Sequence, residues 1–237
     1  SHHATAEKRY YPLAQEVITG TYVGDYDYVL DLLDRCYFPT REGVANFHDN
    51  FVDALILAGE EKIAEGKVEQ AVTLYKKAFT YPENHQVFLV DERATHDAQI
   101  NYCLGEAYAA LGQDAEAEKY WKLAAEQDYE LKGSKDFRYW TGLALERLGR
   151  KAEAEAIFSA LVADGEAAVV TQHVNFYGAE GTTGVTVDII NSAAYYTQAL
   201  GHLGLGHRGK AKRLFAEVQR LKPDHLWANE FMKQFEK

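Results

Sequence analysis

Along "AEAEKYWKLAA" and "KAEAEAIFSAL" the apolar residues recur at i, i+3 or i+4, and i+7, while Glu and Lys fill the other positions. That period belongs to amphipathic helices with one buried face. The stretch from Leu104 to Trp121 adds punctuation: Gly105, Gly112 seven residues on, Ala117 after five, Trp121 after four and Ala124 after three.

The same offsets recur. They give Gly59, Gly66, Ala71, Tyr75 and Ala78, then Gly142, Gly149, Ala154, Phe158 and Leu161, then Ala199, Gly206, Ala211, Phe215, Val218 and finally Pro223. A partial copy at the start aligns Gly24, Val29, Leu33 and Cys36, as expected of an atypical terminal repeat.

The spacing has a mechanical meaning. Antiparallel helices approach closely only where one presents a small residue, and an aromatic fills the volume beside it. The second glycine ends the first helix in a left-handed conformation that a Cβ disfavours. One such hairpin cannot bury its own apolar face, so copies are expected to stack.

These residues resemble the tetratricopeptide repeat (TPR) family, whose pattern is a bulky residue, Leu-Gly, Tyr, Gly, Ala, an aromatic, Ala and Pro. "LGEAYAALGQDAEAEKYW" departs from it only at Asn101, where the bulky residue belongs, and at Tyr129, where the proline does. The resemblance implies an all-α, right-handed superhelical solenoid of about five hairpins, near residues 7–37, 47–80, 97–127, 136–163 and 191–221. Residues 1–6 read as a tag or disordered start, 7–237 as one domain, and 224–236 as a capping helix with Leu226, Trp227, Phe231 and Phe235 near one face.

The turn glycines stand 42, 46, 37 and 57 residues apart, against about 34 in a TPR array. Insertions therefore separate the hairpins. The largest, 164–191, is rich in Val, Thr and Gly, and "YGAEGTTG" reads as a turn between two extended runs, so a short β-hairpin near 168–190 or a long loop is expected. Such insertions either carry binding groups or act as spacers.

Charge narrows the partners. A formal net charge of −11 and a pI near 5.3 repel nucleic acid and anionic membranes. No apolar run reaches the length of a membrane helix, which leaves a soluble chain, cytoplasmic or periplasmic. Cys36 and Cys103 suit neither a disulfide framework nor a zinc site and read as buried thiols.

The chemistry-bearing residues form no catalytic constellation. His202 and His207 are five apart and so not on one helical face, His48 and the pair His96, Asp97 lack the rest of a metal centre, and no nucleophile or phosphate-loop motif occurs. A noncatalytic chain without cofactor or metal is expected.

In TPR proteins the residues three before and one after the small contact position face the concave groove. Here they are Ile56, Tyr102, Tyr139 and Tyr196, and Glu60, Glu106, Leu143 and Leu200. The tyrosines either line a groove or pack between helices. An acidic, aromatic groove favours basic or neutral extended partners, and the Lys, Arg and Asn set that holds chaperone C-termini is missing.

Segments such as "YPENHQVFLVDERATHDAQINYCLGEAY" also look like the C-terminal TPR tail of bacterial proteins with an upstream β-sandwich domain related to sugar-handling folds. Two functions follow: a scaffold binding a peptide, a protein or its own upstream domain, or an accessory module of a carbohydrate-active enzyme.

Overall fold

The computed structural model describes residues 10–38, 47–80, 82–85, 96–127, 136–171 and 187–236. These contain eleven α-helices: α1 Tyr10–Val23, α2 Tyr26–Arg35, α3 Phe47–Ala64, α4 Val68–Lys77, α5 Asp97–Ala110, α6 Asp114–Ala125, α7 Arg138–Arg147, α8 Lys151–Ala168, α9 Val187–Gly204, α10 Arg208–Leu221 and α11 Leu226–Lys233. The first ten pair into five hairpins, α1 with α2 through α9 with α10. The architecture is all-α.

Each hairpin turns in the same way. Gly24, Gly66, Gly112, Gly149 and Gly206 all have φ between 69° and 80°. In each case the amide after the glycine reaches back to the carbonyl five residues earlier, as from Gln113 to Tyr108 at 2.9 Å and from Arg150 to Leu145 at 2.8 Å. The left-handed glycine thus satisfies carbonyls that the end of the first helix would otherwise leave open.

The close approaches are equally regular. A Cβ on Gly59, Gly105 or Gly142 would overlap the ring of Tyr75, Trp121 or Phe158, each sixteen residues on. The first hairpin departs from this: its close contact lies at Gly20, where a Cβ would stand 2.5 Å from Val29 Cγ2.

The contacts gather into two compact units, Ser1–Lys132 and Gly133–Lys237. Repeat spacing alone gives one domain over 7–237; the boundary between the two units falls between the third and fourth hairpins.

In the first unit, Leu13, Val17, Leu32, Leu33, Phe51, Leu55 and Leu104 are fully enclosed. Two inserted segments also meet there. Asn84 donates to the carbonyls of Leu33 (2.8 Å) and Cys36 (2.6 Å), and His85 Nε2 lies 2.9 Å from the same Leu33 oxygen. A single parallel bridge joins Phe38 to His85, whose ring stands edge-on to Phe38 and Phe51. The "PENH" segment therefore closes the end of α2.

In the second unit, α8 and α9 form the tightest pair. A Cβ on Gly165 would stand 2.6 Å from the carbonyl oxygen of Ala194, and one on Gly201 would stand 2.6 Å from that of Phe158. Each helix presents a glycine to the backbone of the other. The Phe158 ring meanwhile fills the space beside both Gly142 and Gly204.

The insertion at 164–191 differs at its edges from its sequence reading. Residues 164–168 continue α8 and 187–190 begin α9, because Gly165 and Ala194 are needed in that helix contact. The expected β-hairpin falls mostly on 172–186, outside the described residues. Cys36 and Cys103 are both buried.

Candidate functional site

In the first unit the groove positions are supplied by α3 and α5. Ile56 is fully buried, Glu60 is exposed, and Tyr102 and Glu106 are half-buried. The Trp121 indole N–H donates to Glu106 Oε1 at 3.1 Å, so the aromatic that packs on Gly105 also holds the next residue's carboxylate. Beneath them, burial pushes the Cys103 thiol well above its usual range, and Glu60 and then Glu106 push it further. Two carboxylates on neighbouring helices thus act on one buried point.

The second unit presents these positions differently. Tyr139 is 6% exposed and Tyr196 8%, Leu200 is buried, and Leu143 is half-buried. The Tyr139 ring packs on Trp140, Phe158 and Phe231, and the Tyr196 ring on Phe215, His225 and Phe231. Phe231 belongs to α11. The structure therefore places these two tyrosines in an aromatic cluster under α11, and of the three only Tyr102 is half-buried rather than buried.

Helix α11 is the cause. Its start is fixed by His225, whose Nδ1 accepts from the Ala228 amide at 3.3 Å while the ring packs 4.4 Å from that of Tyr196. Burial, with Lys222 adding to it, pushes the His225 imidazole down to about 4. It stays neutral at ordinary pH and keeps its acceptor nitrogen.

Two pairs that the sequence leaves apart are brought together. His202 and His207 face each other across the Gly206 turn with Nδ1 atoms 3.3 Å apart, a meeting made by the turn rather than by a shared helical face. His96, just before α5, lies with Nε2 3.5 Å from Asp49 Oδ1 on α3. Burial opposes protonation of His96, but Asp49, Asp53 and Asp97 together outweigh it and raise its pKa. Among the described residues no group of three or more His, Cys, Asp or Glu is placed to hold a metal ion.

One further arrangement lies on the first unit. Tyr108 and Tyr120 stack with ring centroids 5.4 Å apart, Lys76 lies over the first ring and Lys119 over the second. Tyr108 is a position of the repeat pattern; its partners are not.

Helical hairpins closed by a left-handed glycine, with an aromatic set against a small residue sixteen places earlier, reproduce the pattern read from the sequence. The described residues form five such hairpins.

No family model matches the chain, and no curated protein matches it. Among solved structures it is similar to YrrB, described as a TPR protein with an unusual peptide-binding site, at 16% identity and a TM-score of 0.33, covering 94% of this chain and 92% of that one. It is also similar to the TPR-like repeats of a putative kinesin light chain from Podosopora anserina, at 16% identity and a TM-score of 0.37, covering 91% and 96%. A third is MamA from MSR-1, at 15% identity and a TM-score of 0.31, covering 89% and 95%.

Among the described residues no helix is long and apolar enough to cross a membrane.

Proposed function

We propose that the chain is a noncatalytic interaction scaffold, and that the α3–α5 face of its first unit binds an extended, basic or neutral segment of a peptide or partner protein. The observation that supports this reading is that exposed Glu60 and half-buried Glu106 hold equivalent places on successive first helices, with half-buried Tyr102 one turn before Glu106. Tyrosine contributes apolar area with a polar tip at low entropic cost. The carboxylates attract cations, and the first unit as a whole carries 24 acidic against 12 basic residues, while the second carries 12 against 13.

Glu106 is held by the Trp121 indole rather than sweeping freely, which lowers the cost of ordering it around a ligand. Ile56 supports the face from within. Tyr139, Leu143, Tyr196 and Leu200 occupy the corresponding places in the second unit.

A peptide array that varies position and charge tests the reading. Lys- or Arg-containing peptides should bind the chain, and Glu60→Lys together with Tyr102→Ala should weaken that binding at least tenfold with the far-UV circular dichroism unchanged. Binding that ignores both substitutions would overturn the assignment.

A further inference from the structure

We propose that the inner face of the second unit is a docking surface for an amphipathic helix with two aromatic side chains four residues apart, and that α11 is its resident, displaceable occupant. This rests on reading the inner helix faces as binding surfaces, but it concerns another unit and another class of ligand from the α3–α5 face.

The register of the repeats identifies the surface. Tyr139 on α7 and Tyr196 on α9 hold the same place in the first helices of successive hairpins. Phe231 touches both, with ring centroids 5.8 Å and 6.4 Å away. A helix that merely closed the last hairpin would need to cover only α9 and α10. Instead, α11 reaches back to α7: Trp227 stands edge-on to Trp140 at 6.5 Å, and Phe231 stacks on Trp140 at 6.2 Å and on Phe215 at 5.1 Å.

Trp227 and Phe231 are one helical turn apart and so point the same way from α11. Their receptors come from three different helices, α7, α9 and α10. This is the geometry by which a groove recognises a helix through anchors at i and i+4.

The attachment of α11 suits an exchangeable occupant. With eight residues, it is too short to persist as a helix away from its contacts. Polar ties from α11 and the residues just after it reach α10: Gln219 donates to Asn229 at 2.7 Å, and Arg208 reaches the Gln234 carbonyl at 3.5 Å and lies over the Phe235 ring. The connection from α10 spans only 222–225 and includes Pro223, so α11 leaves by local opening at that connection while α10 remains packed through Ala211, Phe215 and Val218. What it uncovers is an aromatic cup of Tyr139, Trp140, Tyr196 and Phe215.

A fluorescein-labelled peptide of residues 223–237, titrated by anisotropy into the full chain, tests this. The Trp227→Ala, Phe231→Ala double variant should bind the peptide at least tenfold more tightly than the unaltered chain, whose own α11 competes. The same peptide with both aromatics replaced by alanine should not bind. Absence of saturable binding to a double variant with unaltered far-UV circular dichroism would overturn the proposal, as would a wild-type dimer, lost in the variant, in which copies exchange α11.

If the double variant does not fold, hydrogen exchange on the unaltered chain decides. Amides at 228–233 exchanging at least tenfold faster than those of α9 support displacement; exchange in step with α9 overturns it. Tyr102→Ala, which disables the face on the first unit, should leave peptide binding unchanged, so the two readings fail separately.

Discussion

The indole of Trp121 occupies the place where a Cβ on Gly105 would stand, and its N–H is spent on Glu106, the next residue. Phe158 stands in the same relation to Gly142, but it is fully buried and is also gripped by Gly204. Trp121 is half-buried and has a route of retreat.

The two glycines should therefore respond unequally to enlargement. Overpacking a tight contact typically costs about 1 to 3 kcal/mol. Gly142→Ala is expected at or above the top of that range and Gly105→Ala near the bottom, measured as urea midpoints. Equal losses would mean that the Phe158 ring has room to move.

Gly112 isolates a backbone effect. It has φ +69°, and a methyl at its Cα would meet no neighbour within 4 Å, so Gly112→Ala should cost about 1 to 2 kcal/mol from left-handed strain alone. Gly112→Asn should recover part of this, since asparagine tolerates that region. Thermal melts of the two variants check the order.

His225 makes the second unit acid-sensitive. Its folded pKa of about 4 lies below its ordinary value of 6.5, so the neutral ring's contribution is complete above 6.5 and is lost as pH falls towards 4. Linkage bounds that contribution at roughly 3 kcal/mol. Loss of the cap to Ala228 should appear as quenching or shift of Trp227 fluorescence over that interval, and His225→Ala should flatten it.

His96 acts in the opposite sense on the first unit. Its raised pKa means that the ion pair with Asp49 contributes fully below about 6.5 and is lost as pH rises through the folded value. Asp49→Asn should remove this alkaline decline, followed as urea stability between neutral and mildly alkaline pH. A decline that survives the substitution would assign it to Asp53 and Asp97 instead.

The hairpins were legible in the sequence because their determinants are local. All five turn glycines adopt positive φ, and Gly59, Gly105 and Gly142 meet the aromatics that the spacing pairs with them. Tyr139 and Tyr196 were legible as a shared helical register but not as buried, because the one ring that covers both, Phe231, lies tens of residues away in sequence. Nothing local to either tyrosine records that.

The same holds for Asn84, which closes α2 from about fifty residues downstream, and for the His202 and His207 pair, which a helical wheel separates and a turn reunites. The 164–191 segment as a whole, rich in Val, Thr and Gly, reads as a hairpin or loop, yet 164–168 and 187–190 are helical. Gly165 lies within α8, where α9 comes too close for any side chain.

That reciprocal pairing of Gly165 and Gly201 bears on how the molecule can be edited. Repeat arrays generally lengthen or shorten by whole repeats, because each interface resembles the next. Here α8 and α9 are matched to each other and to no other helix pair among the described residues. A hairpin spliced between them would set each glycine against a stranger's side chains, so the last two hairpins are inherited, transplanted or redesigned only as one piece.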